Sequence, residues 1–389
     1  MMRPGVRPRA AGLVLLAATV VLAACGSGQG AASGGAGAGS SAPASAGSSA
    51  PASGAAPPAA GEAAPSGRAA YPLASDPEAK VHAAWCAVAG AMFPLWVAKE
   101  AGIFQRHKLD VDIQLIQGGD TNMAALMRGE VDFIECAGGS LIPGIMAGAD
   151  ALLVANLYQG NPYRLIVVPE VQTMADLRGR KLAISRPGDY DNRLVEVMLE
   201  RNGLVANQDV TLVPVGGQTD RYNALKGGIV DGTTVNPPVN LTAQNAGYRE
   251  IFNLGDLGIS SVYISLFTSR NVLQSRPRLV ERFIAAMVEA SAYAKANREY
   301  TINLMGDYLK LTDRAALEGA YQAFAVETLA IPPYVPVDAV QAVMDETLRI
   351  NPNATVRDAT TIVDNKPLQA VEASGFINAV KAELLPGQN

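Results

Sequence analysis

An octet that occurs twice limits what this 389-residue chain can fold into more tightly than any other feature. Ala125-Leu126-Met127-Arg128-Gly129-Glu130-Val131-Asp132 returns as Ala224-Leu225-Lys226-Gly227-Gly228-Ile229-Val230-Asp231. Each copy follows an apolar run and a double glycine with a threonine close behind. These are Leu109 to Ile116 with Gly118-Gly119-Asp120-Thr121, and Val210 to Val215 with Gly216-Gly217-Gln218-Thr219. The order is strand, glycine turn, helix, glycine stop, strand. That is a βαβ unit, whose helix crosses right-handed to return to a parallel sheet. Two such units predict two α/β lobes.

Further signals fill in the lobes. Val81 to Ala87 and Ala151 to Leu157 read as buried strands of the first, and Lys181 to Ser185 and Tyr248 to Asn253 as strands of the second. Pro94 opens a helix that Gly102 closes. After Thr268 the strand signals fade. Helical spacing predicts helices over Arg276–Asn297, Asp313–Ala325 and Pro336–Leu348, packed back on the first lobe. The expected first lobe is therefore 80–165 plus 269–389, and the second is 166–268. Crossing segments near Tyr163–Pro169 and Val262–Thr268 join them and imply a cleft with a hinge.

The N-terminus carries an address. Arg3, Arg7 and Arg9 precede an apolar run from Ala10 to Ala24, too short to span a bilayer but suited to a signal peptide over residues 1–24. The run ends Leu22-Ala23-Ala24-Cys25-Gly26, which looks like a bacterial lipobox, so Cys25 is the expected lipidation site and membrane anchor. From Gly26 to Ala70 every residue except Gln29, Glu62 and Arg68 is Gly, Ala, Ser or Pro. Such a stretch cannot offset its ordering entropy, and a disordered tether is expected over 25–79, with a reach of ~35–40 Å.

Composition removes several functions. The net charge of −5, more negative once the signal arginines are gone, and the lack of a basic run argue against nucleic-acid binding. Three cysteines and two histidines, unclustered, argue against a metal or iron–sulfur site. Ser140 lacks the G-x-S-x-G elbow, and neither His82 nor His107 has a nucleophile beside it. The glycine pairs lack a phosphate-loop lysine, and no G-x-G-x-x-G occurs. No enzymatic activity and no cofactor are expected. Cys86 and Cys136 fall near the ends of neighbouring strands; free buried thiols are the expectation, with a disulfide the alternative.

In a parallel α/β sheet, ligands sit beyond the carboxyl ends of strands, where helix starts offer free N–H groups. Six turns qualify: Cys86 to Met92, Gly118 to Thr121, Gly138-Gly139-Ser140, Gly188-Asp189-Tyr190, Gly216 to Thr219, and Asn236-Pro237-Pro238. Singly each reads as a capped tight turn, with Asp189 the clearest N-cap. Together, from two lobes facing one cleft, they read as a small-molecule site.

The segment Pro94 to Phe104 followed by Leu109-Asp110-Val111 resembles solute-binding proteins of the nitrate/sulfonate/taurine and thiamine-pyrimidine-precursor group. Ala125-Leu126-x-x-Gly129-x-Val131-Asp132, Asp176-Leu177-Arg178-Gly179-Arg180-Lys181, Asp209-Val210 and Asn236-Pro237-Pro238 carry the same resemblance, over about residues 80 to 270. It implies an α/β, two-lobed periplasmic-binding-protein fold of type II, with a mostly parallel, doubly wound sheet in each lobe and a helical C-terminal region. It also implies a monomeric lipoprotein that closes on a small solute and delivers it to the permease and ATPase of an ABC importer.

On that pattern the pocket falls at Trp85, Cys86 and Ala87, at Asp120 and Thr121, and at Gly139 and Ser140 in the first lobe. In the second it falls at Gly188, Asp189, Tyr190, Thr219 and Asn236. Arg186 or Arg221 would suit a sulfonate, nitrate or carboxylate. Asp120, Glu135, Asp189 and Asp191 argue instead for an amine or a heterocycle, on which Trp85 and Tyr190 would stack. A small organic anion is the reading adopted, and a pyrimidine precursor, other heterocycle or aromatic acid is the alternative. A tethered ligand sensor and an extracytoplasmic enzyme are the readings from other classes.

Overall fold

The computed structural model describes residues 71, 72, 76–187, 189–259 and 262–387. The signal peptide, Cys25, most of the expected tether, and Gly188 lie outside these residues. Upstream of the boundary expected at residue 80, Tyr71 is already buried, and its hydroxyl donates to Glu281 at 2.9 Å.

Ten strands form two five-stranded sheets. They are β1 (Ala79–Trp85), β2 (Leu109–Leu115), β3 (Phe133–Ala137), β4 (Ala151–Asn156), β5 (Arg164–Val167), β6 (Lys181–Ile184), β7 (Thr211–Pro214), β8 (Gly232–Val235), β9 (Arg249–Asn253) and β10 (Ile264–Ser269). The first sheet has the order β2-β1-β3-β10-β4 and the second β7-β6-β8-β5-β9. The two orders superpose, as the repeated octet implies. In each sheet one strand runs against the rest: β10 is antiparallel to β3 and β4, and β5 is antiparallel to β8 and β9. These two strands are where the chain enters the second sheet and where it returns. Residues 264–269, placed by sequence at the second crossing, are thus a strand of the first sheet.

In the first lobe α1 (Phe93–Glu100), α2 (Ile103–Arg106), α3 (Gly119–Met127) and α4 (Gly138–Met146) connect the strands. In the second, α5 (Tyr190–Arg201), α6 (Gln218–Lys226) and α7 (Val239–Asn245) do so. Each octet runs from the end of a helix, α3 or α6, to the residue just before the next strand, β3 or β8. Gly129 and Gly228 both take positive φ, 72° and 68°, where a side chain would be strained. The two aspartates act alike: Asp132 accepts the backbone N–H of His82, and Asp231 that of Lys181, at 3.0 and 2.9 Å. Each clips the start of one strand to its parallel neighbour.

The C-terminal helices are α8 (Arg270–Ser275), α9 (Pro277–Ala296), α10 (Arg298–Leu309), α11 (Arg314–Tyr321), α12 (Val337–Ile350), α13 (Lys366–Ala373) and α14 (Phe376–Leu384). α9 is the buried spine, with α1, α13 and α14 against it, and Phe283 stacks on Phe133 of β3 at 3.9 Å. These helices also reach the second lobe. α11 packs on α7, and the Arg193 guanidinium of α5 donates to the Thr347 hydroxyl of α12 at 2.6 Å. Among the described residues no helix is long and apolar enough to cross a membrane.

Candidate functional site

The double glycines put helix starts at the mouth of the cleft because they allow the backbone to turn sharply out of the strand. Gly118 and Gly216 take φ of 88° and 108°, and the helices behind them, α3 and α6, begin with no side-chain cap. α4 also starts without one. Helix geometry leaves first-turn N–H groups without intrahelical partners, and the aligned peptide dipoles make these ends partially positive. All three starts line one cavity of about 380 Å³ between the sheets, through Gly118 and Gly119, Ala137 and Ser140, and Gly217 and Gln218. That volume lies within the range of small-molecule sites.

Arg186 and Arg221 line the cavity in different states. Arg221 is 2% exposed and held through both terminal nitrogens, while its Nε has no hydrogen-bond partner among the described residues. It forms an ion pair with Asp191 at 2.9 Å and donates to the carbonyls of Gly216 and Thr234 at 2.8 and 3.0 Å. It builds the floor. The Arg186 guanidinium lies against Gly118 at the start of α3 and makes no hydrogen bond or ion pair among the described residues.

The carboxylates sort the same way. Asp191 is neutralised by Arg221. Glu135 does not line the cavity; it is buried in the first lobe, where burial pushes its carboxyl well above the usual range. Asp120 is exposed and off the lining. Asp189 does line the cavity. It occupies the N-cap position of α5, but its side chain does not cap the helix. Burial raises its carboxyl above the usual value, with the Ser185 hydroxyl opposing and Asp191 reinforcing the shift. Asp220 is a further lining carboxylate that sequence reasoning did not single out.

Of the other expected residues, Cys86, Ser140, Thr219 and Asn236 line the cavity. Asn236 is 1% exposed, its amide donates to the Tyr263 hydroxyl, and its side-chain oxygen has no partner among the described residues. Trp85 turns away to pack edge-on against Trp96 and Tyr308. Thr121 is exposed on α3 outside the lining. Gly139 and Tyr190 meet each other across the cleft: a Cβ on Gly139 would fall 2.5 Å from the Tyr190 ring. Tyr190, expected as a stacking face, is placed against Gly139 of the first lobe and off the cavity lining. Cys86 and Cys136 are joined in a disulfide, against the expected free thiols. Cys86 sits one residue past β1, and its N–H bonds to Glu135 of the adjacent β3. Neighbouring strands bring the Cα atoms to 5.3 Å, inside the span a disulfide tolerates.

Tyr163 and Tyr263 line the cavity from the two crossing segments, with ring centroids 5.9 Å apart. Burial raises both phenols well above their usual value, so they act as neutral hydrogen-bonding rings. The signal for them was available, since each crossing carries a tyrosine near the expected hinge. Among the described residues no group of three or more His, Cys, Asp or Glu is placed to hold a metal ion.

The NMT1/THI5-like family model matches residues 90–300, and the chain belongs to that family. A Brucella abortus (strain 2308) protein, described only as a binding protein, is 28% identical over 225 residues, which cover 57% of this chain and 69% of that protein. The alkanesulfonate-binding protein of Xanthomonas axonopodis pv. citri superposes with a TM-score of 0.63 at 19% identity, covering 74% of this chain and 99% of that one. The periplasmic nitrate-binding protein of Synechocystis PCC 6803 gives 0.64 at 14% identity, covering 80% and 92%. These likenesses establish the two-lobed, α/β periplasmic-binding-protein fold.

Proposed function

We propose that this protein is an extracytoplasmic solute-binding lipoprotein of an ABC importer, anchored through Cys25, that closes on a small organic anion and delivers it to a membrane permease. The observation that carries this reading is the convergence of three uncapped helix starts and the unpaired Arg186 guanidinium on one cavity between the lobes. An anion placed there meets partial positive charge from both lobes and a guanidinium able to bind two oxygens at once. The ion pair on the floor, Arg221 with Asp191, is internally neutral. The names of the alkanesulfonate- and nitrate-binding neighbours agree with an anionic cargo. Binding contacts from both lobes favour the closed form, and no covalent step is needed.

The test is calorimetry of the purified protein against sulfonates, nitrate, carboxylates, amines and pyrimidines, repeated with Arg186→Ala. Saturable binding of an anion without turnover is expected, weakened roughly ten- to a hundredfold by the substitution, consistent with loss of a charge-assisted contact of about 1.5–3 kcal/mol. Binding of amines or pyrimidines only, unaffected at Arg186, would transfer the recognition role to Asp189, Asp220 and the two tyrosine rings.

A further inference from the structure

The solute-binding reading leaves the Cys86–Cys136 disulfide unused, and its two cysteines are placed unequally. Cys136 lies on β3, between β1 and β10, and is fully buried. Cys86 stands just past β1, is 8% exposed and lines the cavity. A reagent in the cleft therefore meets the bond from the Cys86 side. The surroundings of Cys86 are also charged. Its carbonyl accepts the Gly118 N–H at 3.2 Å, and the Arg186 guanidinium lies against that same glycine. Uncapped helix starts stand near both cysteines: α3 begins at Gly119, next to Gly118, and α4 begins two residues after Cys136. The lining carboxylates Asp189, Asp191 and Asp220 come from the second lobe, and Asp191 is held by Arg221.

We propose that the Cys86–Cys136 bond is an exchange site for small thiols carrying an anionic group, which enter the cleft and are joined to Cys86. The thiolate of the entering molecule attacks Cys86 Sγ. A new S–S bond forms there as the Cys86–Cys136 bond breaks, and the Cys136 sulfur leaves with the electron pair and takes up the proton the thiol gave up. A second thiol of the same kind then attacks the first one's sulfur in the mixed disulfide. That step releases the disulfide of the two small thiols and leaves both cysteines reduced. The protein gains two electrons and two protons, all from the thiols, so no further reductant is needed. Thiolate is the reactive form, and the guanidinium and helix starts favour it near Cys86. Access decides which sulfur is attacked, and it selects Cys86. Preference for an anionic group rests on the organic-anion reading, whereas access to Cys86 does not. Joined there, the adduct occupies the cavity and excludes solute.

The test is incubation of the full-length protein with 2-mercaptoethanesulfonate, 2-mercaptoethanol or 2-aminoethanethiol at equal thiolate concentration. Samples are quenched in acid and mapped by mass spectrometry without reduction. Adducts are expected on Cys86 with Cys136 as the free thiol. They should form roughly tenfold faster with the sulfonate than with neutral mercaptoethanol, because a positive cleft concentrates an anionic reactant. The amine should be slowest. Arg186→Ala should bring the sulfonate rate down toward the neutral one, and excess ethanesulfonate, which has no thiol, should slow the wild-type reaction by competing for the cavity. Adducts on Cys136, no adduct on either cysteine, or equal rates for the three thiols would each overturn the exchange site. Calorimetry with ethanesulfonate separates these failures from that of the anion reading. Binding of ethanesulfonate without adduct formation overturns the exchange alone, and no binding together with equal rates overturns both.

Discussion

Arg186 and Arg221 bring the same charge to the same cavity, and only their partners separate their roles. Sequence shows residue type, whereas pairing depends on which strand ends the sheet brings together, so the two were indistinguishable before the fold was known. Glu289 makes the same point in the core. It is 2% exposed, and it accepts the Arg106 guanidinium at 2.5 Å and bonds to His107 Nε2 at 2.8 Å, tying α2 to α9. In the sequence His107 stood out only as a histidine without a nucleophile beside it. Burial alone would raise the Glu289 carboxyl, but the His107 and Arg106 contacts outweigh it and hold the group below its usual value. A carboxyl depressed in the folded state contributes fully above its unfolded pKa, about 4.3, and loses that contribution as pH falls through the folded value. Glu289→Gln should therefore cost about 3 kcal/mol at neutral pH. The gap from wild type, followed by denaturant melts across pH, should narrow below about pH 4. A gap independent of pH would assign the loss to packing.

At the scale of elements, the octet and its glycines made most of the architecture legible. Helix starts and stops leave a local mark, and a parallel sheet demands crossovers. What stayed hidden lies in contacts that depend on the other lobe, such as Tyr190 against Gly139. The cysteine pair was hidden for a different reason. Sequence placed both residues near adjacent strand ends, but the convergence of their side chains depends on the β1–β3 register, which pairs Trp85 with Glu135 and so sets Cys86 beside Cys136. Closing a loop with a sequence separation of 50 removes unfolded-state entropy worth about 4 kcal/mol on the chain-entropy account. The disulfide also fixes the turn that carries Val88 and Ala89 into the cavity lining. Replacing Cys86 and Cys136 together by serine should lower the melting temperature by roughly 8–16 °C. Adding reductant to the wild type should approach the same value, and no shift in either case would show the bridge to be dispensable for stability.

For the molecule as a whole, the question is which contacts exist only when the lobes are together. Gly139 against Tyr190 and Gly118 against Arg186 lie at the cleft itself. The Arg193–Thr347 hydrogen bond lies outside the ligand cavity and joins α5 of the second lobe to a helix carried by the first. A bond present in the closed form and absent in the open one stabilises closure without touching ligand, so it changes apparent affinity through the population of the competent state. Thr347→Val keeps the side-chain shape and removes the acceptor. The lost bond has a charged donor, worth about 1.5–3 kcal/mol, so ligand affinity should fall roughly ten- to a hundredfold with every cavity residue intact. The ligand-free protein should also scatter X-rays as a more extended particle. If the bond instead persists in both forms, the variant will melt earlier while affinity and scattering stay as in the wild type. That result would make α12 a fixed strut between the lobes, and would leave closure to the contacts at the cleft.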